Sequence, residues 1–249
     1  TQVDAPYQMT TRLPAVVDAY GLTRFDTDPV TGRVFASSNN GLYWMDPAAP
    51  TPRWDGPVFK APVVHVRVAA DLRRVFFTTR TEAGFVDMDA LDQPKAFATV
   101  RASGLVYEPS QHEVYVAPTR ENKVRVYNGR TLEDVGAITV PGWYANLLEA
   151  IPGRVFFLLP DKPGLFVINA SSHKAAAWPV TGKIETPGQM DVDPTGRTIF
   201  FSYDRNVVAI DPDTATVTGR LTHQGIAAMA WDPVTERLLV TRPNDPAPL

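Results

Sequence analysis

At 249 residues, 44% of them apolar, the chain is long enough to bury a real core as one large all-β domain or two smaller ones. It has no cysteine, which excludes disulfides, thiolate metal sites and cysteine nucleophiles, and a formal charge of −3 with no basic run, which argues against a nucleic-acid partner. No apolar stretch approaches bilayer length, so no membrane insertion is expected, and 23 prolines against 16 glycines imply many turns and few long helices.

The chain begins at Thr1 rather than Met, and TQVDAP reads as a mature start after a removed export signal, so a periplasmic or secreted protein is expected. Residues 7–16, YQMTTRLPAV, have the length and alternation of an outer strand but no unit of their own. From there one phrase recurs. Its β-rich runs begin at Val34, Val75, Val114, Val155, Ile199 and Leu238, with spacings between 39 and 44 residues. Ahead of them stand the turns DPVTGR, AADLRR, EPSQHE, IPGR, DPTGR and DPVTER. Asp-Pro and Gly supply the backbone angles such turns need. A second run then ends in Asp46, Asp89, Asn128, Asn169 or Asp211, whose side chains can bond the backbone two residues on and start the next turn.

Each unit therefore reads as four short antiparallel strands, and runs such as RVFFTT and RVFFLL suit strands buried on both faces. That is the pattern of a β-propeller blade. Five units are complete, approximately residues 20–57, 62–100, 103–140, 144–181 and 187–222. The sixth, 226–249, shows two strands and runs out in RPNDPAPL. The expectation is a single six-bladed propeller in which 7–16 completes the last blade and closes the ring, with a truncated seven-bladed propeller as the alternative.

DPVTGRVFAS, DPDTATVTGRL and DPVTERLLVT resemble the repeats of the YncE-like (YVTN) propellers over nearly the whole chain. The motif specifies blade turns rather than chemistry. The resemblance implies an often exported propeller with no single shared activity, and fold does not give function here.

The innermost strand of each blade lines the central axis. Aligned by their turns, these are TRFDTD, VHVRVA, SGLVYE, NLLEAI, GQMDVD and AAMAWD. One alternation is mostly apolar and reads as core: Phe25 and Thr27, Val66 and Val68, Leu105 and Tyr107, Leu148 and Ala150, Met190 and Val192, Met229 and Trp231. The other is polar: Arg24 and Asp26, His65 and Arg67, Glu149, Gln189 and Asp191. Charges so placed are costly unless paired or wetted by a channel. Two readings are open: an axial ion-pair network, Asp26 with Arg67 for instance, or a polar pocket at the channel mouth. On the loops entering the inner strands, Trp143, Tyr144, Asn146 and His223 add an aromatic and polar rim to that mouth.

There is no G-x-S-x-G elbow, no P-loop and no H-E-x-x-H. The enzymatic rival is a metal-dependent lactonase of the gluconolactonase type, a six-bladed family similar in architecture. Its ligand positions fall on Thr23, Asn146 and Gly188, so one of three survives. Asp26, Glu149 and Asp191 lie slightly deeper as oxygen donors of a kind that suits calcium. The preferred reading is an exported binding or scaffold module, monomeric and without a cofactor, whose mouth takes a small polar molecule or a protein partner.

Overall fold

The computed structural model describes residues 22–143, 145–180, 187–193, 195–203, 206–222, 228–232 and 237–241. Five four-stranded antiparallel sheets follow one another along the chain, each hydrogen-bonded in chain order. The first comprises β1 (Leu22–Thr27), β2 (Val34–Ser38), β3 (Gly41–Met45) and β4 (Trp54–Phe59). The second comprises β5 (Val63–Ala69), β6 (Arg74–Thr79), β7 (Glu82–Asp87) and β8 (Ala90–Thr99). The third holds β9 (Ala102–Glu108), β10 (Glu113–Pro118), β11 (Lys123–Asn128) and β12 (Asp134–Thr139). The fourth holds β13 (Asn146–Ile151), β14 (Arg154–Leu159), β15 (Lys162–Asn169) and β16 (Lys174–Trp178). The fifth holds β17 (Pro187–Val192), β18 (Ile199–Tyr203), β19 (Asn206–Asp211) and β20 (Thr216–Thr222). The first strands stand side by side in the order β1, β5, β9, β13, β17, as the innermost strands of propeller blades do.

Among the described residues the propeller has five blades, which corrects the expected six and the alternative of seven. Among its described residues the sixth phrase forms a hairpin, β21 (Ala228–Asp232) with β22 (Arg237–Thr241). Its turn chemistry is that of a blade, but a blade also needs two further strands to pair outward. Among the described residues nothing pairs with the far edge of β22. The segment expected to complete that sheet, 7–16, lies outside the described residues.

Burial explains why the middle strands are so apolar. Val75–Thr79 and Val155–Leu159 are buried at every position, because neighbouring blades cover both faces of the sheet. The outer strand β12 is exposed at all but one position. The core is accordingly a series of inter-blade layers. Phe76 stacks on Tyr107 between the second and third blades at 6.0 Å, and Ile151, Phe156, Met190, Ile199 and Phe201 fill the space between the fourth and fifth. Phe25, expected in the core, is 41% exposed and leans on Trp54.

The predicted Asx turns form at Asp46, Asn128, Asn169 and Asp211, each side chain accepting a backbone N–H two or three residues on. Asp89 differs, its carboxylate being held by Arg73.

An arginine opening the second strand of a blade ties that blade to the Asx turn of the next. Arg74 donates from Nη1 to the carbonyls of Gly129 (2.7 Å) and Arg130 (2.8 Å). Arg154 does the same to the carbonyl of Pro212 and the carboxylate of Asp213. The signal was present in the sequence as the recurring Arg of GRVF, RRVF and GRVF, but its target lies about sixty residues downstream. Arg154→Ala is expected to cost about 1–2 kcal/mol, mostly through the lost carbonyl bond, since Asp213 is exposed and its ion pair is worth little. Thermal melting should show a fall of roughly 2–8 °C.

Candidate functional site

Each innermost strand carries a register shift in its first residues, at the end of the strand where the entering loop arrives. The shifts fall between Leu22 and Arg24, Val63 and His65, Asn146 and Glu149, and Pro187 and Met190, and in β9 opposite Ala117 and Pro118. Such an extra residue bends the strand and re-aims its side chains. In β9 the extra residue is Ser103. Its hydroxyl donates to the carbonyls of Ala117 (3.1 Å) and Ala145 (2.7 Å), joining the third blade to the fourth.

Beyond the shifts, the polar side chains converge. Asp26 and Asp191 occupy equivalent positions and behave alike. The Asp26 carboxylate accepts its neighbour's N–H at Thr27 and, with its other oxygen, the N–H of Val68 in the next blade, both at 2.8 Å. Asp191 accepts from Val192 at 2.8 Å and from Trp231 of the hairpin. Both aspartates are thus staples between inner strands. Arg67 does not pair with Asp26, as expected from the sequence, but crosses from the second blade to the fourth. There it bonds Glu149 directly and the Leu148 carbonyl at 3.2 Å. The third blade leaves the middle free for this crossing because its equivalent residue is the short, buried Val106.

His65 is buried, with Nδ1 2.8 Å from the Thr78 hydroxyl and a further hydrogen bond to the Ser103 backbone. Burial, with Arg24 and Arg67 nearby, pushes its pKa down to about 3, so the ring is neutral. Arg24 lies within the field of Arg67 and Glu149, and burial lowers its pKa. Burial raises the Glu149 carboxyl to about 8 in spite of Arg67, with Asp191 and Asp26 adding to the rise. Asp191 is raised to about 6 by burial, and Asp26 is raised for the same reason. Three carboxyls share the space with two arginines, so one charge is in excess, and burial raises all three carboxyls.

Among the described residues no three His, Asp or Glu side chains are placed to hold a metal ion. Of the three carboxyls expected as calcium ligands, Asp26 and Asp191 accept backbone donors and Glu149 is engaged by Arg67. Asn146 opens β13 and is hydrogen-bonded or otherwise in contact within the protein. Gln189, Thr23 and Gly188 lie on described strands, and their side-chain positions are outside the description, as are Tyr144 and His223 altogether.

Trp143 is elsewhere. It is 71% exposed and lines a cavity of about 750 Å³ between the third and fourth blades, formed with the Arg120–Lys123 turn, Val140–Gly142 and Asp161. A second cavity of about 690 Å³ lies between the second and third blades, lined by Arg80, Thr81, Thr99–Arg101, Thr119, Glu121 and Arg125. Both open on the face that carries the loops entering the inner strands and the turns between the middle strands. These turns are rich in charge, which is also how ordinary solvated tips read.

No protein-family model matches the chain and no curated protein matches it. Among solved structures, the chain is similar to one titled Structure of U3-55K, at TM-score 0.66 and 11% identity, covering 81% of this chain and 64% of that one. It is also similar to a chain of the Mitotic Checkpoint Complex (0.65, 11%, covering 89% and 71%) and to one of a Nidogen/Laminin Complex (0.61, 11%, covering 88% and 83%). The chain thus spans about two thirds of the first. These neighbours are β-propellers, and at such identity the likeness shows the fold alone. Among the described residues no helix is long and apolar enough to cross a membrane.

Proposed function

We propose that the protein is a β-propeller interaction module: a rigid disc that binds a protein partner on the face bearing the two inter-blade clefts. One contrast carries the reading. The polar groups on the axis are largely spent on one another and on the backbone, whereas the rim of that face presents an exposed tryptophan and arginines without an ion pair among the described residues. Propellers of this fold occur in protein assemblies, which fits such a role. The YncE-like turn phrases fit it as well, since that resemblance carries no particular chemistry.

A photo-crosslinking residue placed at Trp143 is expected to capture a partner protein, and the same residue at Val30 is not. Val30 is 74% exposed on the β1–β2 turn, at the opposite end of the blade. Equal capture at the two positions would remove the reading.

A second reading, a small anion on the axis, is favoured by one observation. Arg67 Nε is buried with no hydrogen-bond partner, and Arg24 has no ion pair among the described residues. Melting the protein with sugar acids, lactones and dicarboxylates separates the two. A compound that raises the melting temperature of wild type but not of Arg67→Ala would move the function to the axis.

A further inference from the structure

We infer that the two clefts form one docking groove for an acidic segment of the partner protein, with Arg80, Arg101, Arg120 and Lys123 pairing its carboxylates and Trp143 receiving an apolar residue. This rests on the interaction-module reading and names the chemistry of the partner.

The clefts adjoin, since Glu121 borders both. Their lining holds five cations and two acids, although the chain as a whole carries a net charge of −3. Both acids are already engaged. Glu121 is paired with Arg125 at 3.3 Å, and the Asp161 carboxylate accepts the Trp143 backbone N–H, also at 3.3 Å. Arg80, Arg101, Arg120 and Lys123 are exposed and have no ion-pair partner among the described residues. Guanidinium groups match carboxylates in a two-pronged geometry, so the three arginines of this lining suit acidic side chains. Trp143 beside them is the kind of large exposed ring that anchors a bound segment.

The walls are also held in place. Val100 N–H donates to the Thr81 carbonyl at 2.9 Å, Thr119 N–H to the Arg101 carbonyl at 2.6 Å, and Val140 N–H to the Asn122 carbonyl at 2.9 Å. Each bond ties a loop entering a blade to a turn between middle strands, so little order has to be acquired on binding. A nucleic acid fits less well, because a polyanion would extend beyond the groove onto a surface that is net negative.

The test measures fluorescence anisotropy of a labelled poly-glutamate peptide carrying a central phenylalanine. Its glutamine counterpart and a single-stranded oligonucleotide serve as comparisons. Wild type should bind the acidic peptide in a salt-dependent way and not the glutamine peptide. Arg101→Glu combined with Arg120→Glu should weaken binding by roughly a hundredfold, and Trp143→Ala by roughly tenfold. Melting temperatures should stay near wild type, as these residues are exposed. No binding of the acidic peptide, binding indifferent to these changes, or tighter binding of the oligonucleotide would each overturn the proposal. If the peptide fails while crosslinking at Trp143 still captures a partner, the acidic-segment inference falls and the interaction-module reading stands.

Discussion

Arg67→Ala is expected to lower the stability of the fold by about 3 kcal/mol, a fall of roughly 6–12 °C in melting temperature. The side chains of Arg67 and Glu149 are 17% and 12% exposed, so loss of the guanidinium leaves a buried carboxyl without its hydrogen-bond partner and Asp26 and Asp191 without their counter-charge. Arg67 also neutralises the field of Asp26 and Asp191 and caps the Leu148 carbonyl. Its removal therefore affects four blades at once: the second that carries it, the fourth that receives it, and the first and fifth that carry Asp26 and Asp191. Glu149→Gln should cost less, because an amide oxygen still accepts from the guanidinium. The double change Arg67→Leu with Glu149→Leu should recover part of the loss, as apolar replacements of buried pairs often do. Denaturant titration of the four proteins checks the set. An Arg67→Ala protein as stable as wild type would mean that the crossing arginine braces nothing.

Between pH 6.5 and pH 9 wild type should lose about 2 kcal/mol more stability than Glu149→Gln does. The Glu149 carboxyl sits near 8 in the folded protein, against an ordinary value of about 4.3 in an unfolded chain. Across that interval the folded state keeps a proton that the unfolded state has released. The corresponding stability is fully present below the unfolded value and is lost as pH rises through 8. Asp191 acts in the same direction at lower pH, its folded value being about 6. His65 acts in the opposite direction. Held neutral down to about 3, it withholds a proton that the unfolded chain takes up near 6.5, so it weakens the fold as pH falls through that range. Asp26, also raised by burial, acts in the same direction as Glu149, so the difference between wild type and Glu149→Gln isolates the contribution of Glu149. Urea unfolding of both proteins at several pH values measures it, and parallel curves would show that Glu149 is ionised throughout.

Strands and turns were legible because their causes are local. A run such as RVFFLL can only be a covered strand, and Asp or Asn at its end bonds the backbone within three residues. The alternation of charged with apolar residues in the inner strands was legible for the same reason, since side chains two apart share a face. The partners were not. Arg67 meets Glu149, eighty-two residues away, rather than Asp26, because a bend at the start of each inner strand and the small Val106 leave that crossing open. Ser103, which links His65 to the fourth blade, carried no signal beyond being a serine in an apolar stretch.

By itself the amino-acid sequence determined a repeating all-β chain, its blade-like units and the residue types that reach the axis, since each follows from turn chemistry and period-two patterning. The tertiary structure decided how many units become blades, which charges meet, and that exposed cations gather on the rim around Trp143. Pairing between strands and between side chains depends on what the rest of the chain brings alongside, and no local pattern encodes that.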